Sequence, residues 1–247
     1  MAVENEKKAE LYEHLAELRT RLIRVIIYWV IGTLVAWFFY TDIFQLLTEP
    51  MKEVLEKTNT KFLITSLPEA FMIKMQVSLI SGAIISLPFI TIEMWGFVSP
   101  ALTKEEKRPL IWIAPLSIIL FIMGVVICYF IMPTAFNWFA SQAPPDAELR
   151  PTVQASILFI VKMMLAFGIM FELPIILMAL AKLGIVESKI LKDNWRIAIV
   201  LIVILGAVAT PSGDAFSMLM MAVPVIILYF LSIMLVRMIE KKSKRQN

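Results

Sequence analysis

The chain has 247 residues, of which 60% are apolar and 17% charged. Soluble domains run at about 45–50% apolar and about 25% charged, so this composition excludes an ordinary soluble domain and points to a polytopic membrane protein. The net charge of +3 excludes a strongly basic nucleic-acid binder, and what informs is where the charges stand.

Residues 1–21 begin polar. From Glu10 the pattern turns helical, with Leu11, Leu15, Leu18 and Leu22 forming one apolar stripe at i, i+4, i+7 and i+11. Glu17 and Arg21 lie off that stripe as a favourable i,i+4 pair. The segment reads as a short amphipathic helix on the membrane surface, preceding a first span at about 22–40. Its mixed charge is unlike the short basic start of a cleavable signal peptide. A polar loop follows over 41–69, with a turn at Thr48-Glu49-Pro50 and a short helix expected over Met51–Lys57.

The second span is about 70–94 and contains Pro88. The loop after it, WGFVSPALTKEEKRP over 95–109, gathers Lys104, Glu105, Glu106, Lys107 and Arg108 between restraining prolines. Trp95 and Phe97 stand at its entrance, where an interface-level ring is expected. The third span is about 110–132, and a second polar loop runs over 133–153. The fourth span, about 154–181, carries Lys162, Glu172 and Pro174. A basic loop over 182–196 leads to a fifth span at 197–209, the turn Thr210-Pro-Ser-Gly-Asp214, a sixth span at about 215–236 and a basic tail at 237–247. The fifth span is short. Its residues at about 1.5 Å each reach only about 20 Å against a hydrocarbon core of about 30 Å, which requires local thinning or a turn lying below the surface.

The expected architecture is therefore an all-α membrane protein of one polytopic domain. Six transmembrane helices bend at Pro88, Pro115, Pro174 and Pro224 into a curved, concave bundle, and the fifth and sixth spans form a short hairpin. Segments 1–24, 96–109, 182–196 and 237–247 hold 5, 3, 4 and 5 lysines and arginines, whereas 41–69 and 133–153 hold only Lys52, Lys57, Lys61 and Arg150. By the positive-inside rule both termini face the cytoplasm.

Several chemistries are excluded. The lone Cys128 cannot form an internal disulfide, and the lone His14 cannot supply a two-His metal motif. No glycine-rich phosphate loop or GxSxG element occurs, so the chain is read as a non-enzyme without cofactor or metal. Glu172 is the least comfortable residue. A carboxylate at that depth costs about 2.5–3.5 kcal/mol on insertion scales, so it should face a cavity or the bundle interior, or be protonated. Three readings follow: a polar site on a concave membrane surface, a protonated side chain hydrogen-bonded to a neighbouring helix, or the proton carrier of a secondary transporter. Glu17 and Glu106 could each take a guanidinium through bidentate bonds. Against that stands plain solvation of Glu106 and pairing of Glu17 with Arg21.

The segments HLAELRTRL at 14–22, SLPEAF at 66–71, WGFVSPALTKEEKR at 95–108, FGIMFELP at 167–174 and ATPSGDAFSM at 209–218 resemble TatC, the signal-recognition subunit of the twin-arginine protein translocase. The resemblance covers about residues 11–236. It implies a receptor and core subunit of a cytoplasmic (inner) membrane export machine that binds the twin-arginine signal peptides of folded cargo. It implies signal-binding roles for Glu17, Arg19, Phe97, Lys104 and Glu106, an intramembrane polar site at Glu172, and an outer-loop structural role for Pro50. It also implies docking of single-span TatA/TatB-type subunits near Thr210, Asp214 and Met218, self-association in a larger complex, and transport driven by the proton gradient. No nucleic-acid partner is implied. Met218 stands where some members carry glutamine.

Overall fold

Neither glycine nor proline interrupts residues 2–31, and the first helix runs through them without a break: α1 spans Ala2–Phe38. The computed structural model describes residues 2–98, 104–144, 146–182 and 184–243, with the side chains of 2–14, 98, 104–113 and 242–243 excepted. The expected surface helix and first span are thus one continuous helix. Its outer face, including Leu15, Leu18, Leu22, Ile26, Val30 and Leu34, is exposed, as suits a helix that lipid covers.

The remaining elements are α2 (Tyr40–Thr48), a 3-10 turn (Glu49–Met51), α3 (Lys52–Lys57), α4 (Leu67–Val98), α5 (Lys104–Ser141), α6 (Val153–Met170), α7 (Leu173–Lys182), α8 (Ser188–Asp193), α9 (Trp195–Ala209) and α10 (Ala215–Ser243). Among the described residues, five stretches are long and apolar enough to cross a membrane: Leu15–Phe38, Leu67–Phe97, Ala114–Ser141, Val153–Lys182 and Ala215–Lys241. The apolar helix Trp195–Ala209 has 15 residues, about 22 Å, and is shorter than the rest. No strand occurs among the described residues. An extended contact joins the two polar loops, where Leu63 N–H donates to Pro151 O at 3.0 Å and Val153 N–H to Leu63 O at 3.1 Å.

Two expectations about loops are corrected. Trp95–Val98 completes α4 and Lys104–Pro109 opens α5, leaving only 99–103, outside the described residues, between the two helices. At the other end α5 continues past Pro133 to Ser141. Packing explains the extension: Met132, Ala135 and Phe136 are buried, Phe136 and Phe139 meet Phe159 of α6, and Trp138 stacks on Phe216 of α10 at 4.2 Å.

The core lies where α4, α5 and α6 meet, around Ile73, Val77, Cys128, Met132, Ile160 and Phe167. A second cluster joins Trp95, Ile175, Met178 and Val236, and a third joins α9 to α10 through Ile202, Ala222, Val225 and Tyr229. Glycines allow the closest approaches. A Cβ on Gly82 would stand 2.5 Å from the Thr33 backbone, and one on Gly168 would stand 2.3 Å from the Phe121 ring. Without a hydrophobic driving force between helices in lipid, such close packing and a few polar ties hold the pairs together. Trp29 Nε1 donates to Leu79 O at 2.9 Å, and Lys74 Nζ sits 4.4 Å from the Trp37 ring centroid.

Pro50, buried in the 3-10 turn, packs that turn against α5 beside Leu47, Met51 and Val54. Glu69 explains SLPEAF physically. Its Oε2 accepts the backbone N–H of Thr65 at 2.5 Å and of Ser66 at 3.2 Å, satisfying donors left over at the start of α4 while Pro68 needs no partner there.

Candidate functional site

One end of the bundle gathers α1 around Glu17–Arg24 and the last turns of α4. The i,i+4 spacing on α1 brings Glu17 and Arg21 together: Arg21 Nε and Nη2 donate to Glu17 Oε1 at 2.9 and 2.7 Å. Arg21 then reaches across to α4, where Nη1 donates to Glu93 Oε2 at 2.9 Å. Arg24 Nη1 lies 3.4 Å from Glu93 Oε1. Glu17 is half-buried and Arg19 exposed. Phe97, half-buried, follows Gly96, and Gly96 lies against the Arg21 guanidinium.

Lys104 and Glu106 occupy the first turn of α5, and their side chains lie outside the described residues. A carboxylate on the third residue of a helix sits in the favourable field of its N-terminus. Trp95 is not the interface ring its position suggested. It is buried among Ile175, Met178 and Val236, and its Nε1 lacks a hydrogen-bond partner.

Glu93 was not legible as a site residue. The available signal was an acidic side chain inside the apolar run ITIEMW, but its partners lie 72 and 69 positions away.

Glu172 stands at a break in the fourth apolar stretch. Pro174 has no N–H to return to the Met170 carbonyl, and α6 ends there; two residues later α7 begins, with Ile175 and Ile176 N–H both donating to Glu172 O at 3.0 Å. The carboxylate faces α5. Ser117 Oγ donates to Oε2, while Oε1 is buried without a partner.

The turn between α9 and α10 lies at the opposite end. Thr210 is buried and closes α9, its N–H donating to Gly206 O at 2.9 Å. Asp214 caps α10, accepting Ser217 N–H at 2.8 Å on Oδ1 and the Ser212 hydroxyl on Oδ2. Partial burial pushes the Asp214 carboxyl up, but hydrogen bonds from Ser212, Ser217 and Phe216 outweigh it and hold the group below the usual aspartate range. Gly213 takes a φ of +63°, a conformation glycine adopts without strain. Met218 is half-buried and packs on Gly206 across the hairpin.

A family model described as "Sec-independent protein translocase protein (TatC)" matches residues 13–224. The chain belongs to the TatC family. A relative from Desulforapulum autotrophicum, named Sec-independent protein translocase protein TatC, is 38% identical over 239 residues, covering 96% of this chain and 88% of the relative. The protein of that name from Aquifex aeolicus is 37% identical over 238 residues, covering 95% and 97%. A crystal structure described as the twin arginine translocase receptor TatC superposes with a TM-score of 0.79 at 34% identity, covering 91% of this chain and 98% of that one. Membership in the TatC family makes the chain a protein-translocase component and does not favour the secondary-transporter alternative for Glu172. Three of the motifs that carry the TatC resemblance have clear local jobs here. Glu69 caps α4, Pro174 breaks the fourth stretch, and Asp214 caps α10.

Proposed function

We propose that this protein is the receptor for twin-arginine signal peptides and the core subunit of its translocase. Glu17 and Glu106 take the two guanidiniums of the signal by charge-assisted, bidentate bonds. Arg19 and Lys104 flank the site, and Phe97 packs the neighbouring side chain of the motif. The apolar part of the signal then runs along the bundle toward Glu172. The Lys/Arg bias supports a cytoplasmic side for the recognition end and both termini, in an inner membrane. The hairpin of α9 and α10, with Thr210, Asp214 and Met218 near its turn, receives single-span TatA/TatB-type subunits. Translocation of folded cargo draws on the proton gradient.

The observation that carries this reading is the likeness, over nearly the whole chain, to a structure described as the twin arginine translocase receptor. The behaviour of Glu17 supports it chemically, since this carboxylate already accepts two N–H bonds from one guanidinium, that of Arg21.

The protein in lipid nanodiscs is expected to bind a synthetic signal peptide bearing Arg-Arg at least about tenfold more tightly than the same peptide bearing Lys-Lys, because an ammonium cannot reproduce the two parallel bonds of the fork. Equal affinity for the two peptides, measured by fluorescence anisotropy, would remove the proposal. Glu172 acts after recognition. Glu172→Ala is expected to leave Arg-Arg peptide affinity within about twofold, since the substitution is remote from the recognition end, and to reduce export of a folded reporter. Unchanged export in that variant would take Glu172 off the path.

A further inference from the structure

Glu93 is a carboxylate with no assigned role, and it is 8% exposed near the end of α4. Two guanidiniums from α1 converge on it. Arg21 Nη1 donates to Oε2 at 2.9 Å and to the Glu93 carbonyl at 3.4 Å, and Arg24 Nη1 donates to Oε1 at 3.4 Å. The other side of the Arg21 fork holds Glu17. Gly96 leaves room for the guanidinium, since a Cβ there would stand 2.3 Å from Arg21 Nη1. Arg21 is thus clamped between a carboxylate of the proposed signal site and a buried carboxylate behind it.

A site that must attract two arginines carries arginines of its own. Arg21 and Arg24 present two positive charges within about two turns of Glu17, and the Arg24 side chain is 54% exposed. Glu17 alone cannot offset both. Glu93 supplies the second negative charge, and because it is buried its field is screened by salt less than that of an exposed group. We infer that Glu93 is a positioning residue for the twin-arginine site, neutralising Arg21 and Arg24 so that Glu17 still attracts a guanidinium from the signal peptide. The inference rests on the reading that Glu17 and Glu106 receive the signal. It treats the Glu17–Arg21–Glu93–Arg24 chain as electrostatic tuning rather than only a staple between α1 and α4.

The test uses the full chain in nanodiscs and the synthetic Arg-Arg signal peptide. Glu93→Gln keeps an acceptor for Arg21 and removes the charge. It is expected to weaken peptide binding by about tenfold at low salt, with the deficit shrinking as salt rises. Glu93→Gln combined with Arg24→Gln restores the charge balance and is expected to recover most of that loss, although the tie between the helices has lost a second partner. A staple would predict the opposite, so a double variant that binds no better than Glu93→Gln overturns the inference. Wild-type binding by Glu93→Gln also overturns it. Arg24→Gln alone changes an exposed side chain and is expected to tighten binding by about threefold. Should Glu93→Gln fail to accumulate, that single variant decides, since unchanged or weaker binding overturns the inference. Glu106→Ala separates the two levels. If it loses the peptide while the Glu93 variants bind normally, only the role of Glu93 falls; if it also binds normally, the arginine site itself falls and the inference with it.

Discussion

Glu106→Lys is expected to abolish binding of an Arg-Arg signal peptide, a loss of about 100-fold or more, while the protein still inserts and accumulates. Two magnitudes decide this. In the proposed complex the peptide guanidinium covers Glu106; truncating one partner of such a buried, hydrogen-bonded charge pair costs about 2–5 kcal/mol, and reversing its sign adds repulsion. The structural cost is smaller. Glu106 is the third residue of α5, and a carboxylate in a helix's first turn contributes about 0.3–1 kcal/mol through the field of the N-terminus. Recognition should therefore fail long before the fold does. The measurement is peptide affinity beside the amount of protein extracted from membranes and its thermal midpoint. Glu106→Gln, which keeps the acceptor and loses the charge, is expected to fall between. Normal crosslinking of the peptide to the Lys variant would exclude Glu106 from the site.

Gly82→Ala is expected to destabilise the protein by about 1–3 kcal/mol, and Gly82→Leu to prevent its accumulation. A methyl on Gly82 would lie 2.5 Å from the Thr33 Cα and N atoms, which are backbone and cannot turn aside; the reciprocal methyl on Gly32 would lie 2.5 Å from Gly82 O. α1 and α4 would have to separate, straining the Trp29–Leu79 hydrogen bond and the Tyr28–Phe89 contact. The same separation would pull Arg21 from Glu93, so the end that holds the proposed signal site should loosen with the bundle. Gly206 supplies the contrast. Its added Cβ would meet nothing closer than Met218 O at 3.5 Å, an ordinary contact. Gly206→Ala should therefore be neutral or stabilise by up to about 1 kcal/mol, because alanine loses less backbone entropy in a helix. Unfolding midpoints in detergent, with cysteine crosslinking between α1 and α4, check both. Equal midpoints for Gly82→Ala and Gly206→Ala would contradict the close-approach argument.

What was legible in the sequence is what depends on neighbours within a few residues. The long apolar runs, the short α9, the Glu17–Arg21 pair and the break at Pro174 are all local, set by the length a bilayer demands, by i,i+4 spacing and by a missing N–H. The family resemblance proposes Glu106, Phe97 and the hairpin residues as sites, and no spacing rule alone would have chosen them.

The rest required partners from far along the chain. In lipid, a residue facing the bundle and one facing acyl chains are both apolar, so hydropathy could not say that Trp95 is buried against α7 and α10 while Leu22 is exposed. Nor could it say that α5 extends past Pro133, because the rings that hold those turns belong to α6 and α10. The sequence by itself determined that this is a helical membrane protein with acidic residues among basic ones on one face. Only the tertiary structure decided which of those charges meet. Glu93 meets Arg21 because the helix crossing at Gly32 and Gly82 brings α1 close to α4, with Gly96 leaving room for the guanidinium.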